Sequence, residues 1–327
     1  MSRRRLLALV IGGAVLLVGA FVGVVLATSG SSSDSLVLYS ARSHYGEEKP
    51  FEDFAKKTGT DLTIRGGDAS ELYERLQSEG KNTPADVLIT VDAANLWRAQ
   101  HAGIIDSWKP LTYRARTIMR STERVGPNDV TTYEGLGDPR WKGKLCLRSG
   151  TSEYNVSFVA DRIAKDGRAA TEQMLRRWMA NDPKIFGSDT DVLEAIKDGD
   201  CDVGLTNSYY LGRELADDPN FPVAPVWADQ NGRGTHVNLS GAVLAKNAPH
   251  REDGVKLMEF LASDEGQEMY ADVNNEYPVK EGVPWSPLVQ SWGSFKSDPI
   301  SLNEVAALRK KASELVDKVG FDDGPSS

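Results

Sequence analysis

The sequence predicts an α/β protein in which two open mixed sheets form a bilobed molecule. Strand-like and helix-like patterns alternate over residues 35–103, and the same alternation restarts at "GKLCLRS", residues 143–149. The length of 327 residues is enough for two such units. Folds of this class bind ligands beyond the carboxyl ends of their strands, so we expect the site in the cleft between the lobes.

The first unit is predicted as three strands, each followed by a helix. Apolar, β-branched and aromatic runs give the strands, and apolar residues on one face give the helices. Pro50 suits a first helical turn, Gly59 suits a helix stop, and Ser70 is the predicted N-cap of the second helix. The strands are 35–42, 60–67 and 85–91, and the helices are 47–59, 69–80 and 93–103.

The later part of the chain repeats these patterns and closes with an amphipathic helix. Its predicted strands are 143–149, 201–207 and 238–246. Its predicted helices are 154–167, 169–182, 191–199 and 301–321, with one or two further helices over 251–273. We expect residues 36–122 and 245–288 to form lobe 1, and residues 123–244 and 289–327 to form lobe 2. The links between the lobes are predicted near 117–125 and 236–246.

The N-terminus is a targeting segment. Three arginines precede an uncharged run at 6–27, which fits either a cleaved signal peptide or a membrane anchor. The stretch "TSGSSSDS", residues 28–35, then reads as a flexible tether. We therefore expect residues 1–35 to lie outside the fold, and an exported, periplasmic or cell-surface protein whose only contact with the membrane is this segment.

The net charge and the cysteine content limit the functional classes and the covalent structure that we expect. The formal net charge of −9 argues against a general nucleic-acid binder. The two cysteines, Cys146 and Cys201, lie in strand-like runs, and an exported chain favours a disulfide between them. The alternative is two independent buried thiols.

We expect the exported protein to be a monomer.

Polar and aromatic side chains gather where three predicted strands pass into helices. An open parallel sheet brings such junctions to one rim. The candidate site residues at these junctions are Arg42, His44, Tyr45, Arg148, Tyr154, Tyr209 and Tyr210.

This combination of residues favours ferric iron as the ligand. A phenol has a pKa of about 10, but a highly charged cation stabilises the phenolate. Phenolate is a hard anionic oxygen that suits Fe³⁺ better than it suits Zn²⁺ or Cu⁺. The acidic clusters expected of a calcium site are absent from the sequence. Arg42 and Arg148 would balance the negative charge or hold a small anion.

Other interpretations remain open on these residues alone. Adjacent tyrosines in a strand simply point to opposite faces, and each rim residue taken singly also fits a structural role. The ligand of a binding protein would then be an oxyanion, thiamine or a polyamine. A hydrolase is a further class, but the sequence has no GxSxG, HExxH or glycine-rich phosphate loop.

Five stretches resemble the ferric-iron-binding periplasmic proteins of bacterial ABC importers, over nearly all of the exported chain. They are "LYSARSHY", "ADVLITVDAANLWRAQHAGI", "WKGKLCLRSGTSEYNVSFVA", "AIKDGDCDVGLTNSYYLGR" and "HVNLSGAVLAKNAPHREDGVKLMEFLAS". The adjacent tyrosines are the most telling mark. The stretch "VDAANL" is similar to the tyrosine-rich subgroup, because the other subgroup has a glutamate ligand there.

The resemblance implies a type II periplasmic-binding-protein fold and a binding function rather than an enzymatic one. It implies that Tyr45, Tyr154, Tyr209 and Tyr210 ligate Fe³⁺, with His44 as a candidate fifth ligand and a synergistic anion nearby. It also implies delivery of the iron to the permease of an ABC importer.

Overall fold

The computed structural model describes residues 35–42, 48–299 and 301–324. The strands in these ranges are β1 (Leu36–Ser40), β2 (Leu62–Gly66), β3 (Val87–Thr90), β4 (Ile105–Ser121), β5 (Leu145–Arg148), β6 (Lys184–Phe186), β7 (Val203–Asn207), β8 (Val223–Val226), β9 (Thr235–Ala245), β10 (Tyr277–Pro278) and β11 (Ser297–Pro299). The helices are α1 (Lys49–Thr58), α2 (Ala69–Glu79), α3 (Ala93–His101), α4 (Glu153–Asp166), α5 (Arg168–Met179), α6 (Asp189–Lys197), α7 (Ser208–Asp217), α8 (Arg251–Leu261), α9 (Asp264–Asn274), α10 (Pro287–Ser291) and α11 (Leu302–Lys318). Of the predicted N-terminal segment and tether at residues 1–35, residues 1–34 lie outside the described residues. Ser35 is buried against β2, where its hydroxyl is 3.1 Å from that of Thr63.

Two open mixed sheets share the long strand β4. The first sheet has the order β2-β1-β3-β9-β4, with β9 antiparallel to both of its neighbours. The second sheet has the order β4-β7-β5-β6, with β8 on the other edge of β4. The change of partner is abrupt, because Ala115 pairs with Val237 of β9 and Arg116 pairs with Asn207 of β7. The predicted fold class is therefore confirmed.

Two helix ends predicted from local sequence signals are confirmed, and one predicted helix cap is wrong. Pro50 lies in the first turn of α1, and Gly59 ends that helix with a left-handed φ of 71°, as predicted. The predicted cap of α2 is wrong. Asp68, not Ser70, caps the helix, and its carboxylate accepts a hydrogen bond of 2.8 Å from the Ser70 amide. The helix begins at Ala69, so Ser70 supplies one of the free amides instead of the cap.

Strand β4 begins well before the link predicted at 117–125. Its first half contains Pro110 and the charged residues Asp106 and Lys109, which interrupt the alternation that predicts a strand. Just beyond this half, Arg114 and Arg116 are almost completely buried where β4 passes from one sheet to the other. The short strands β6 and β8 were also not predicted.

Each sheet has its own hydrophobic core. The first sheet packs Leu38 and Ile89 against α1, α8 and α9. The second packs Leu147 and Leu205 against α4, α5 and the closing helix α11. None of the helices in the described ranges combines the length and apolar character needed to cross a bilayer.

A disulfide joins Cys146 of β5 to Cys201, just before β7, as predicted. The Cα atoms are 5.8 Å apart, and both side chains are fully buried between neighbouring strands of the second sheet. The bond closes a loop with a sequence separation of 55 residues.

We expect the Cys146→Ala/Cys201→Ala double variant to lose about 2–4 kcal/mol of unfolding free energy, because the unfolded chain gains conformational freedom. Denaturant unfolding of parent and variant without reductant measures the difference. The parent, unfolded without reductant, should show no reactive thiol. Two reactive thiols per chain, or equal stability of parent and variant, would contradict this prediction.

Candidate functional site

Five of the rim residues predicted from the sequence are described, and they lie at or after the ends of three strands. Arg42 follows β1, and Arg148 is the last residue of β5. Tyr154 lies in the first turn of α4, which follows β5. His44 and Tyr45 fall in residues 43–47, outside the described residues.

The adjacent tyrosines occupy the first turn of α7. Asn207 is the extended residue before the helix, so the two-residue alternation of β7 stops there. In the helix, Tyr209 and Tyr210 are about 100° apart and their rings stack, with centroids separated by 4.2 Å. Both side chains are buried, at 2% and 3% exposure. The strand interpretation, with one tyrosine on each face, is therefore wrong.

The tyrosines of α4 and α7 meet. The Tyr209 hydroxyl donates to the Tyr154 hydroxyl, with the oxygens 3.3 Å apart. Tyr154 and Tyr210 also line a small polar cavity of about 290 Å³, together with Arg148 and Arg309. A larger cavity of about 670 Å³ lies beside Trp227 and Asp229, and none of the predicted site residues lines it.

Two arginines lie against the α7 tyrosines. The Arg42 guanidinium carbon is 5.2 Å from the centroid of Tyr209. That of Arg213, one turn further along α7, is 4.9 Å from Tyr209 and 5.2 Å from Tyr210. Cations at these distances favour an anionic ring oxygen. Arg213 was not predicted, although its spacing of four residues from Tyr209 was an available signal.

Two further arginines lie against Tyr154. Arg148 is 5.1 Å from its ring centroid and Arg114 is 5.5 Å from it. Arg114 is 1% exposed, and its Nε and Nη2 atoms have no hydrogen-bond partner in the described part of the chain. Burying guanidinium nitrogens without hydrogen-bond partners is unfavourable. A bound anion would provide the missing acceptors, so Arg114 is a candidate anion-binding residue. Nothing in the sequence around Arg114 indicated this role.

A buried carboxylate orients Arg42. Glu276, at the end of the loop after α9, accepts short hydrogen bonds from Arg42 and Thr112. Ser240 accepts a hydrogen bond of 2.9 Å from Arg42. Burial opposes the charge of Glu276, but Arg42 and Arg114 hold its pKa below the usual value. Arg42 is thus fixed beside Tyr209 by a partner remote in sequence.

Burial keeps Tyr154 and Tyr209 protonated when no cation is bound. It raises the pKa of Tyr154 to about 12, and nearby Glu153 adds to the effect. Burial, with Tyr154 beside it, raises the pKa of Tyr209 well above 10. The arginines oppose these shifts without reversing them. A cation that binds here as a phenolate complex must therefore displace protons.

The site is distinct from common metal centres. In the described ranges, no group of three or more His, Cys, Asp or Glu side chains could hold a metal ion. The two buried phenols of α7 and the half-buried phenol of Tyr154, surrounded by four guanidinium groups, can instead take a hard cation through oxygen, or an anion through the arginines.

Comparison with known proteins finds a family of extracellular binding proteins and relatives whose names refer to iron uptake. Residues 51–272 match the family described as bacterial extracellular solute-binding protein. The chain is 39% identical over 313 residues to iron uptake protein A1 of Synechocystis sp., covering 87% of this chain and 86% of that protein. It is 36% identical to iron uptake protein A2 of the same organism, covering 89% and 91%.

Solved structures agree in fold. A Trichodesmium protein in complex with iron and citrate ligands is 38% identical, with a TM-score of 0.81 over 88% of this chain and 99% of that one. The apo ferric ion-binding protein A of Pasteurella haemolytica is also 38% identical, with a TM-score of 0.82 over 89% and 99%.

Proposed function

Because the chain belongs to the bacterial extracellular solute-binding proteins, we propose that it captures ferric iron outside the cytoplasm and delivers it to the permease of an ABC importer. The resemblance inferred from the sequence motifs is confirmed by these relatives. Their names refer to iron uptake and ferric iron binding, and one solved relative holds iron and citrate. Binding, rather than catalysis, is the function of the named relatives.

We propose Tyr154, Tyr209 and Tyr210 as iron ligands, together with Tyr45 and His44 from the segment after β1. The observation that most supports this set is the 3.3 Å approach of the Tyr154 and Tyr209 hydroxyls within a shell of arginines. Deprotonated, these oxygens form a hard anionic ligand set that suits Fe³⁺.

The arginines balance charge in this proposal. Arg42 and Arg148 offset the phenolates, and Arg148 with Arg114 offers free guanidinium nitrogens to a small synergistic anion. Burial opposes the charge of Arg148, but Asp189 and the tyrosines raise its pKa, so it remains a cation. Citrate in the Trichodesmium relative is a precedent for such an anion.

We propose that closure of two lobes encloses the iron. The sequence places residues 36–122 and 245–288 in lobe 1 and residues 123–244 and 289–327 in lobe 2. In this proposal the boundaries shift, because residues 116–121 of β4 pair in the second sheet and β9 pairs in the first. The change of partner along β4, between Ala115 and Arg116, provides a place for the hinge. In this proposal the protein is a monomer in the periplasm or at the cell surface, and residues 6–27 are cleaved or form an anchor.

A visible absorption spectrum tests the function. Titration of the iron-free protein with a weak ferric chelate should produce a charge-transfer band that saturates at one iron per chain. Zn²⁺, which forms no such band with phenolate, is the control. A protein that stays colourless and instead binds phosphate or sulfate in calorimetry would support the oxyanion alternative.

A further inference from the structure

A buried carboxylate connects the two sheets beside the tyrosine site. We propose that Asp92 is a closure latch, which holds α4, and therefore Tyr154, against α3 in the iron-bound protein. This inference rests on the proposed function. It assigns to Asp92 a positioning role, because Asp92 contacts none of the proposed ligands.

The Asp92 side chain makes three hydrogen bonds through its two oxygens. Oδ1 accepts from the Ala94 amide at 2.8 Å, which caps α3. Oδ2 accepts from the Ser157 hydroxyl at 2.7 Å and from the Asn238 side-chain amide at 2.8 Å. Asp92 and Ser157 are fully buried, and Asn238 is 6% exposed. Bonds to a buried carboxylate are stronger than those between neutral groups.

These partners come from three different parts of the fold. Asp92 ends the β3–α3 connection of the first sheet, whereas Ser157 lies on α4, which follows β5 of the second sheet. Asn238 lies on β9, next to Val237, the last residue of β9 that pairs with β4 before β4 changes sheets. The carboxylate therefore bonds to each side of the hinge and to a strand at the hinge itself.

Other contacts hold the same two helices together. The Asn95 side-chain amide on α3 donates to Glu153 on α4 at 3.2 Å. Ala94 is fully buried and packs in the core of the second sheet, in the same cluster as Val156. The start of α3 thus docks on the start of α4 through polar and apolar contacts.

This docking fixes the helix that presents Tyr154. Ser157 is three residues after Tyr154, so both lie on neighbouring positions of one helix face. Rotation or translation of α4 away from α3 would break the Ser157–Asp92 bond and would move Tyr154 relative to Arg114 on β4. Retention of iron should therefore depend on a residue that does not contact it.

The test uses Ser157→Ala, which removes only the latch hydroxyl. We expect iron release to a competing chelator to be about tenfold faster, as loss of a hydrogen bond to a charged group implies. Association should stay within about twofold, since affinity changes of this kind fall mainly on dissociation. The visible band should not move, because no proposed ligand is changed.

Ser121→Ala is the matched control. Ser121, the last residue of β4, is as fully buried as Ser157. Its hydroxyl accepts a hydrogen bond from the Glu123 amide, two residues further along the chain. The Ser121→Ala protein should release iron at the parent rate.

Asp92→Asn is a second variant of the latch. It keeps a good N-cap for α3 but removes the negative charge, and it should accelerate iron release as Ser157→Ala does.

Release by Ser157→Ala at the parent rate would reject the latch, and so would equal acceleration by Ser157→Ala and Ser121→Ala. A parent protein that never develops the visible band would reject the proposed function instead. In that case, small-angle X-ray scattering of the ligand-free parent, Ser157→Ala and Ser121→Ala proteins would test the latch. A larger radius of gyration for Ser157→Ala than for parent and control would support it, and identical curves would reject it.

Discussion

Tyr209→Phe and Tyr210→Phe are each expected to bind iron at least about 100-fold more weakly than the parent, and to shift or abolish the visible band. Substitution of a residue that only supports a metal ligand lowers metal affinity about 10–100-fold, so loss of a ligand itself should lower it at least as much. Each ring remains and its stacking partner is unchanged, so we expect the fold to persist. Competition with citrate, followed in the visible spectrum, measures the affinities, and the double variant should retain no tight site.

Tyr277→Phe is the matched control for these variants. Tyr277 is fully buried, and no described group makes a hydrogen bond to its hydroxyl. Its substitution removes a buried phenol oxygen outside the proposed ligand set and should leave the band and the affinity unchanged. A Tyr209→Phe protein with the parent's spectrum and affinity would show that this tyrosine only packs against its neighbours.

Iron affinity is expected to fall steeply as the pH falls. In the iron-free protein the pKa of Tyr154 is about 12 and that of Tyr209 is well above 10, so both are fully protonated at neutral pH. Each phenol that ligates iron must release one proton. Affinity should therefore fall about tenfold per pH unit for each, or about 100-fold for the two together.

Chelator competition at a series of pH values measures this slope, after correction for protonation of the chelator. Tyr154→Phe should lower the slope by about one proton, and Tyr277→Phe should not change it. Affinity that stays constant from neutral to mildly acid pH would contradict tyrosinate ligation.

Much of the fold could be predicted because most strands and helices have regular patterns. β1 and β3 are short apolar runs buried on both faces, and α1 has a proline at its start and a glycine after its end. The first half of β4 could not be predicted in this way. It contains Asp106, Lys109 and Pro110, and its pairing with β9 overrides the preferences of these residues.

The candidate site was predictable where its residues are close to strand ends. Tyr154, Tyr209 and Tyr210 meet as the pattern implied. The supporting residues were not predictable, because only the fold brings them there. Arg114 lies in the middle of a strand, and Glu276 reaches Arg42 across 234 positions of the chain.

The order of strands in the first sheet also determines which incomplete chains expose unpaired strand edges. β9 lies between β3 and β4, yet it follows both in the chain, and every strand of the second sheet precedes it. As the N-terminal part emerges first, the second sheet can pair while the first still presents two unpaired strand edges. Such edges are sites of association between chains. Nascent chains that end before Thr235 should therefore be the form of this protein most prone to aggregate.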